Sequence, residues 1–341
     1  MKVLVTGGLG YIGSHTVVAL VEAGHQVIVV DNGSSNIPDA HNRINSLIDG
    51  RNVTFVTCDI SNDYLLLRGI FSKENLDAVI HLAACKSVEQ SMLYPDKYFN
   101  NNVRATQDIA QLAIYFKVPK IVFSSSAAVY PLSSESCIED VVIDEENTHL
   151  SVYGKTKLLS ERDLKPIIAC VPNSSVTVFR YFNVIGNHHS GLLLDTSLHN
   201  LVPNIIRALI PPGDKLSVYK APTPTLDGTC IRDYVHVLDV ARLNVEALHK
   251  NIKGYNVYNV GSGVGTSTKE LIALFEAFSG LKIPYKMLPA REGDTTYLVA
   301  DISKAKRDLG WVPHYSLPDM VTSVLGSCPT IQKNLEVVGQ G

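Results

Sequence analysis

The chain has 341 residues, with 30 Lys and Arg against 33 Asp and Glu and a formal net charge of −3. That near-balance offers nothing to recruit nucleic acid or an anionic membrane surface. A hydrophobic share of 45% allows a substantial core, and the length suits two domains or one large α/β body with an appended lobe. Six cysteines (Cys58, Cys85, Cys137, Cys170, Cys230 and Cys328) show neither metal-ligand spacing nor a disulfide framework. No metal is expected, and reduced thiols imply a cytoplasmic location. No apolar run approaches the roughly 20 residues of a membrane helix. The chain enters its first strand at once, so no signal peptide is expected.

Lys2 to Thr6 reads as a buried parallel strand, followed directly by Gly7-Gly8-Leu9-Gly10-Tyr11-Ile12-Gly13. Ser14 to Ala23 then reads as a helix that stops at Gly24. Gly7 permits a tight turn, Gly10 lets backbone approach a diphosphate, and Gly13 lets helix and strand pack closely. The helix N-terminus offers free N–H groups and positive dipole character to that anion. Gln26 to Val30 is a second strand, ending at Asp31 about twenty residues after the glycines, where a ribose-binding acid stands in dinucleotide sites. No Arg or Lys occurs from Asp31 to Asp39 to hold a 2′-phosphate. NAD is therefore expected over NADP.

Further strands are predicted at Val53 to Cys58, Ala78 to Leu82, Lys120 to Ser124 and Ser175 to Phe179, with helices such as Asp63 to Ser72 and Asn101 to Phe116 between them. Strands separated by helical lengths imply a Rossmann-type, doubly wound parallel sheet in an α/β fold. Gly7, Asp31, Asp59, Ala83, Ser124 to Ser126 and Asn183 all come at or just after strand ends, where such sheets bind ligands. After Asn183 the texture changes, with Pro203, Pro211-Pro212-Gly213, Pro222 and Pro224. Short segments follow at Leu216 to Tyr219, Tyr234 to Leu238, Asp239 to His249, Val257 to Val260 and Thr268 to Phe278. We expect a dinucleotide-binding domain over 1–183, a smaller α/β substrate lobe over 184–325 and a weakly ordered tail over 326–341.

Tyr153 and Lys157 are spaced i, i+4 in a predicted helix running to Leu164, so both face one way. A free tyrosine has a pKa of about 10 and is a poor base at neutral pH. A nearby ammonium favours the phenolate, and a nicotinamide's positive charge pushes the same way. Lys157 can also hydrogen-bond the nicotinamide ribose. Ser124-Ser125-Ser126, at a strand end, can bind a substrate hydroxyl and relay its proton to Tyr153. The spacing points to nucleotide-dependent redox chemistry on a hydroxyl or carbonyl.

Gly7 to Gly13, Asp31, Asp59-Ile60, the serine run, Tyr153 to Lys157, Arg180-Tyr181-Phe182-Asn183, Arg232 to Val237 and Arg291-Glu292-Gly293-Asp294 together resemble the extended short-chain dehydrogenase/reductase family. Within it, the chain is most similar to the UDP-glucose (UDP-galactose) 4-epimerases, from Met1 to about Asp319. The resemblance implies an isomerase with bound NAD, acting on UDP-hexoses as a homodimer. It makes Tyr153 the base, Ser126 its proton relay and Lys157 the pKa modulator. Cofactor contacts would come from Gly7, Gly10, Tyr11, Ile12, Gly13, Asp31, Asn32, Asp59, Ile60, Ala83, Lys86, Asn101, Ser124 and Tyr181, besides Tyr153 and Lys157. The UDP-sugar would be held by Ser126, Tyr153, Asn183, Asn200, Leu201, Tyr219, Arg232, Arg291 and Asp294.

The chain departs from the family pattern at several places. Ala84-Cys85 replaces a glycine after Ala83, Ala128 replaces a threonine near the sugar, Pro131 follows Tyr130, and Val184 follows Asn183. The stretch from His188 to His199 is short. Leu298 aligns with the position that gates the sugar pocket, with Tyr297 one place away. Two other readings are weighed. A 4,6-dehydratase or decarboxylase would start with the same hydride abstraction, but Ala127-Ala128 stand where such enzymes place acids. A non-catalytic NAD-binding sensor would have no need of Tyr153, Lys157 and Ser126.

Overall fold

Alternating apolar residues are what the strands use to cover both faces of the central sheet. The computed structural model describes the chain apart from residues 35–36, 49–51, 132–134, 144–149, 211–212, 251, 292, 329–330 and 332–341. Strands β1 (Lys2–Thr6), β2 (Gln26–Asp31), β3 (Val53–Thr57), β4 (Ala78–His81), β5 (Lys120–Ser126) and β6 (Ser175–Tyr181) pair in parallel. Val3, Val5, Val27 and Val29 point to one helix layer, while Leu4, Ile28 and Val30 point to the other. That period-two split buries both faces, as a doubly wound sheet requires.

The remaining strands are β7 (Asn183–Ile185), β8 (Leu216–Tyr219), β9 (Ile231–His236), β10 (Gly254–Val260), β11 (Gly265–Ser267), β12 (Tyr285–Leu288) and β13 (Tyr297–Leu298). The main sheet has seven strands in the order β10-β6-β5-β4-β1-β2-β3. Order reverses at β1, whose neighbours are β2 and β4, and ligands of such sheets lie outside this switch point. β9 pairs with β7, β11 and β13, while β8 pairs with β12, so these strands carry the lobe over the sheet's carboxyl edge. A separate core of Ile205, Val218, Phe275 and Val324 holds the lobe together.

The span read as the lobe is not spatially uniform. β10 lies within 184–325 yet pairs with β6 over seven residues of the main sheet. The helix Val237–His249 sends Val240, Leu243 and Leu248 into the same apolar cluster as Val17 and Leu20 of the helix Tyr11–Glu22. Edge strand β6 needs a partner, and the Val257–Val260 run supplies it. Of the C-terminal stretch read as a tail, Cys328 and Ile331 are buried in the lobe core. The rest of it, together with Pro211, Pro212 and Glu292, lies largely outside the described residues. All six cysteines are free, and among the described residues no helix is long and apolar enough to cross a membrane.

Candidate active site

A cleft of about 2070 Å³ runs along the carboxyl edge of the sheet under the lobe, and every site residue expected from the sequence lines it. At one end stands the glycine loop. Gly7 has φ +70°, and a Cβ on it would lie 2.6 Å from the Ala83 nitrogen. A Cβ on Gly13 would fall 2.0 Å from the Gly7 carbonyl oxygen. The helix Tyr11–Glu22 starts three residues before the predicted Ser14. Gly10 is its N-cap, and no side chain caps it. Its first turn also carries no acidic residue, so Tyr11, Ile12 and Gly13 present backbone amides to the cleft as an anion site does.

Asp31 is anchored by backbone, its Oδ2 accepting from Leu9 N at 3.0 Å and its Oδ1 from Gly33 N at 2.9 Å. Burial raises its carboxyl pKa, opposed by those bonds. Beside it, Asp59 accepts from Ser61 N and Oγ at 3.0 and 2.6 Å and from Asn62 at 3.1 Å. Burial raises this carboxyl, but the hydrogen bonds outweigh it and the pKa ends below the usual range. Asn32 reaches toward Asp59, and Ile60 forms a buried apolar wall. Open glycines, uncapped amides and an acid past β2 fit a dinucleotide.

Another part of the cleft wall carries the helix Val152–Asp163, capped by Ser151, which accepts from Gly154 N at 3.1 Å. A Cβ on Gly154 would sit 2.3 Å from the Ala128 carbonyl oxygen. Glycine there lets the helix press onto the end of the serine strand, which brings the Ser126 hydroxyl into hydrogen-bonding range of Tyr153. Alternation along β5 turns Ser124 and Ser126 one way and Ser125 the other. Ser125 instead donates to Glu161, whose carboxylate is also clamped by Arg180 at 2.8 and 3.0 Å.

Lys157 is buried and donates to the Ser124 carbonyl at 2.6 Å. Burial pushes its ammonium down to about 7, with Glu161 opposing. The Tyr153 phenol is raised above its ordinary value by burial, with the Ser126 bond opposing. This modifies the expectation that the Lys157 ammonium favours the phenolate: its proton is aimed at Ser124, and desolvation dominates at the phenol.

The lobe contributes the remaining residues. Arg232, on β9, donates to Ile231 O at 2.9 Å and does not use the neighbouring Asp233. The Asp233 carboxylate is buried and taken by Ser262, Gly263 and Ala300. Arg291 lies over the Tyr219 ring at 4.3 Å and pairs with Asp294 at 3.0 and 3.3 Å. Asn183 opens β7, and Leu201 opens the helix Leu201–Leu209. On β13, Leu298, in register with Arg232, lines the cleft. Tyr297 alternates to the other face, near Gly265.

Some cleft residues have no motif to announce them. Asp195 accepts from Asn200 at 2.5 Å and stands 3.8 Å from Lys86, joining a lobe residue to a sheet-edge residue. Outside the cleft lining, the buried Ser91 accepts from Tyr153 N at 3.1 Å, satisfying one of the free amides at the start of the helix Val152–Asp163. Asn101 falls in a π-helical turn, Phe99–Arg104, where an α-helix was predicted.

Residues 3–261 match the family model described as "NAD dependent epimerase/dehydratase family". The chain is 39% identical over 326 residues to the UDP-glucose 4-epimerase of Bacillus subtilis (strain 168), covering 94% of each. It is 40% identical over 325 residues to the UDP-glucose 4-epimerase of Neisseria meningitidis serogroup C, covering 94% of this chain and 95% of the relative. The crystal structure of UDP-glucose 4-epimerase from Bifidobacterium longum in complex with NAD+ and UDP superimposes with a TM-score of 0.89 at 36% identity, covering 96% of this chain and 98% of that one. With a dinucleotide cradle, a Tyr-Lys-Ser centre and this similarity over nearly its whole length, the chain belongs to the NAD dependent epimerase/dehydratase family.

Proposed function

We propose that the protein is a UDP-glucose 4-epimerase, interconverting UDP-galactose and UDP-glucose through a 4-keto sugar with NAD recycled in each cycle. One observation supports this reading: the glycine loop, Tyr153, Ser126, Lys157, Arg232 and Arg291 all line a single cleft. NAD, when bound, supplies the hydride acceptor at carbon 4 and a positive charge that draws the buried phenol toward phenolate. Ser126 takes up the 4-hydroxyl and passes its proton to Tyr153. Two arginines suit a diphosphate. Binding energy drawn from the UDP end leaves the sugar free to turn about its tether and meet Tyr153 with its other face. Ala127 and Ala128, at the serine strand's end, carry no group able to transfer a proton, which weighs against a dehydratase.

The test is to incubate the purified protein with UDP-galactose and resolve the products. UDP-glucose at equilibrium, with no net change in NADH, is the expected result. A stoichiometric oxidised or dehydrated product would overturn the reading.

Leu298 bears on sugar scope. It is larger than a small gating residue, and wall changes of a methylene or two shift discrimination by about 1–3 kcal/mol. UDP-glucose and UDP-galactose should be preferred over their N-acetylated counterparts, and Leu298→Gly should raise kcat/KM for UDP-N-acetylgalactosamine. Equal constants in the wild type, or no gain in the variant, would show that Leu298 is not the gate.

The same reading carries a homodimer in the cytoplasm. Exposed apolar side chains at Val88, Met92, Leu93, Tyr94 and Phe99 and six free thiols support it. Sedimentation at the mass of a single chain would count against the dimer, and recovery in a secreted fraction against the location.

A further inference from the structure

Among the described residues, four buried side-chain polar atoms have no hydrogen-bond partner: His25 Nδ1, Ser197 Oγ, the Tyr234 hydroxyl and Trp311 Nε1. Such groups are uncommon in folded chains, because each forfeits the bonds that water gave it. His25 and Trp311 do not line the cleft, whereas Ser197 and Tyr234 do. A serine hydroxyl turns about one bond and can face several acceptors. A phenol oxygen is fixed at the end of a rigid ring, so the Tyr234 hydroxyl is the more telling of the two.

Other buried phenols in the molecule are paired. Tyr11 donates to Gly186 O at 2.6 Å, Tyr98 to Ser87 O at 2.7 Å, Tyr130 to Asn259 Oδ1 at 2.6 Å and Tyr181 to Asn244 Oδ1 at 2.7 Å. Tyr234 is just as buried, at 3% exposure, and its ring belongs to the apolar core of the lobe. Burial holds this phenol above its ordinary pKa, with Arg232 opposing, so the proton stays on the oxygen. The hydroxyl is a donor without an acceptor.

Its neighbours say what acceptor would suit it. Alternation along β9 turns Tyr234 to the same side as Arg232, two residues earlier. Across the strand pair, Tyr234 is in register with Asn183 of β7. Arg232 and Asn183 also line the cleft. Arg232 commits one N–H to Ile231 O, and a guanidinium carries five, so it has others to offer an anion.

We propose that Tyr234 is a further binding residue for the nucleotide sugar, its hydroxyl donating to a phosphoryl oxygen of the diphosphate that Arg232 holds. The proposal rests on the epimerase reading for the identity of the ligand. A phosphoryl oxygen drawn to Arg232 brings an anionic acceptor to a stretch of wall that has a proton to donate, and bonds to charged acceptors are the strong ones. The free protein bears the cost of the unpaired hydroxyl, and the complex recovers it. One oxygen atom therefore weakens the empty protein and strengthens the complex.

The experiment is Tyr234→Phe, which removes that oxygen and keeps the ring. UDP affinity, measured by titration calorimetry, should fall about tenfold or more, as for the loss of a hydrogen bond to a charged group. KM for UDP-galactose should rise with it, while kcat stays within about twofold, since Tyr153, Ser126 and Lys157 are untouched. Without ligand, the melting temperature should rise by about 1–4 °C, because a buried unpaired hydroxyl has gone. A hydroxyl with a merely structural role gives the opposite pair of results, a lower melting temperature and unchanged UDP affinity. Unchanged UDP affinity, a melting temperature below that of wild type, or a variant that does not fold would overturn the proposal. A wild type that binds no UDP refutes the epimerase reading instead, and the melting temperature then still tests whether the hydroxyl is unpaired in the free protein.

Discussion

Tyr153→Phe is expected to lower the epimerisation rate by about 10²–10⁴-fold, the range for losing a positioned acid–base group. The phenol is within reach of the Ser126 hydroxyl on the wall of the cleft. The ring remains, so the wall against Ser126 and the helix contact at Gly154 persist. Affinity for UDP should stay within about twofold, because Arg232 and Arg291 are untouched. Steady-state rates and UDP titration on the same preparation check both halves. A variant with wild-type rate would remove the tyrosine from the mechanism.

Lys157→Met should nearly abolish turnover and yet raise thermal stability at neutral pH. The buried ammonium has a folded pKa of about 7, whereas an exposed lysine titrates at about 10.4. Between those values the unfolded chain binds more protons than the folded one, so the wild type gains stability as pH rises through that window. Below about 7 the full cost of burying the charge is present. Methionine fills similar space without it. The lost bond to Ser124 costs about 0.5–1.5 kcal/mol, less than the several kcal/mol of desolvating an ammonium. The melting-temperature advantage of the variant, compared without added NAD, should be greatest near pH 6–7 and shrink toward pH 10. A variant less stable than wild type at pH 6.5, or an advantage that grows with pH, would contradict the assignment of Lys157 as a strained functional cation.

Much of the site was legible because it is local. Glycines at 7, 10 and 13, the acid ending β2 and the i, i+4 spacing of Tyr153 and Lys157 each report a backbone need met within a few residues. The start of the first helix was misplaced for an equally local reason. The helix was expected from Ser14, but an anion site keeps the helix end uncapped, and Gly10 takes the cap position. The strand read at Val257 to Val260 was real, but its partner was not legible, since nothing in an apolar run says which sheet edge it will close.

From the sequence alone follow the α/β class and the dinucleotide cradle, because periodicity and glycine spacing are properties of short segments. The tertiary structure decided what depends on residues distant in the chain. It put β10 beside β6, turned Leu298 rather than Tyr297 into the cleft, and aimed the Lys157 proton at Ser124. It also left the buried Tyr234 hydroxyl without a partner on the cleft wall. Burial and hydrogen-bond partners set these outcomes, and both exist only once separate segments have packed.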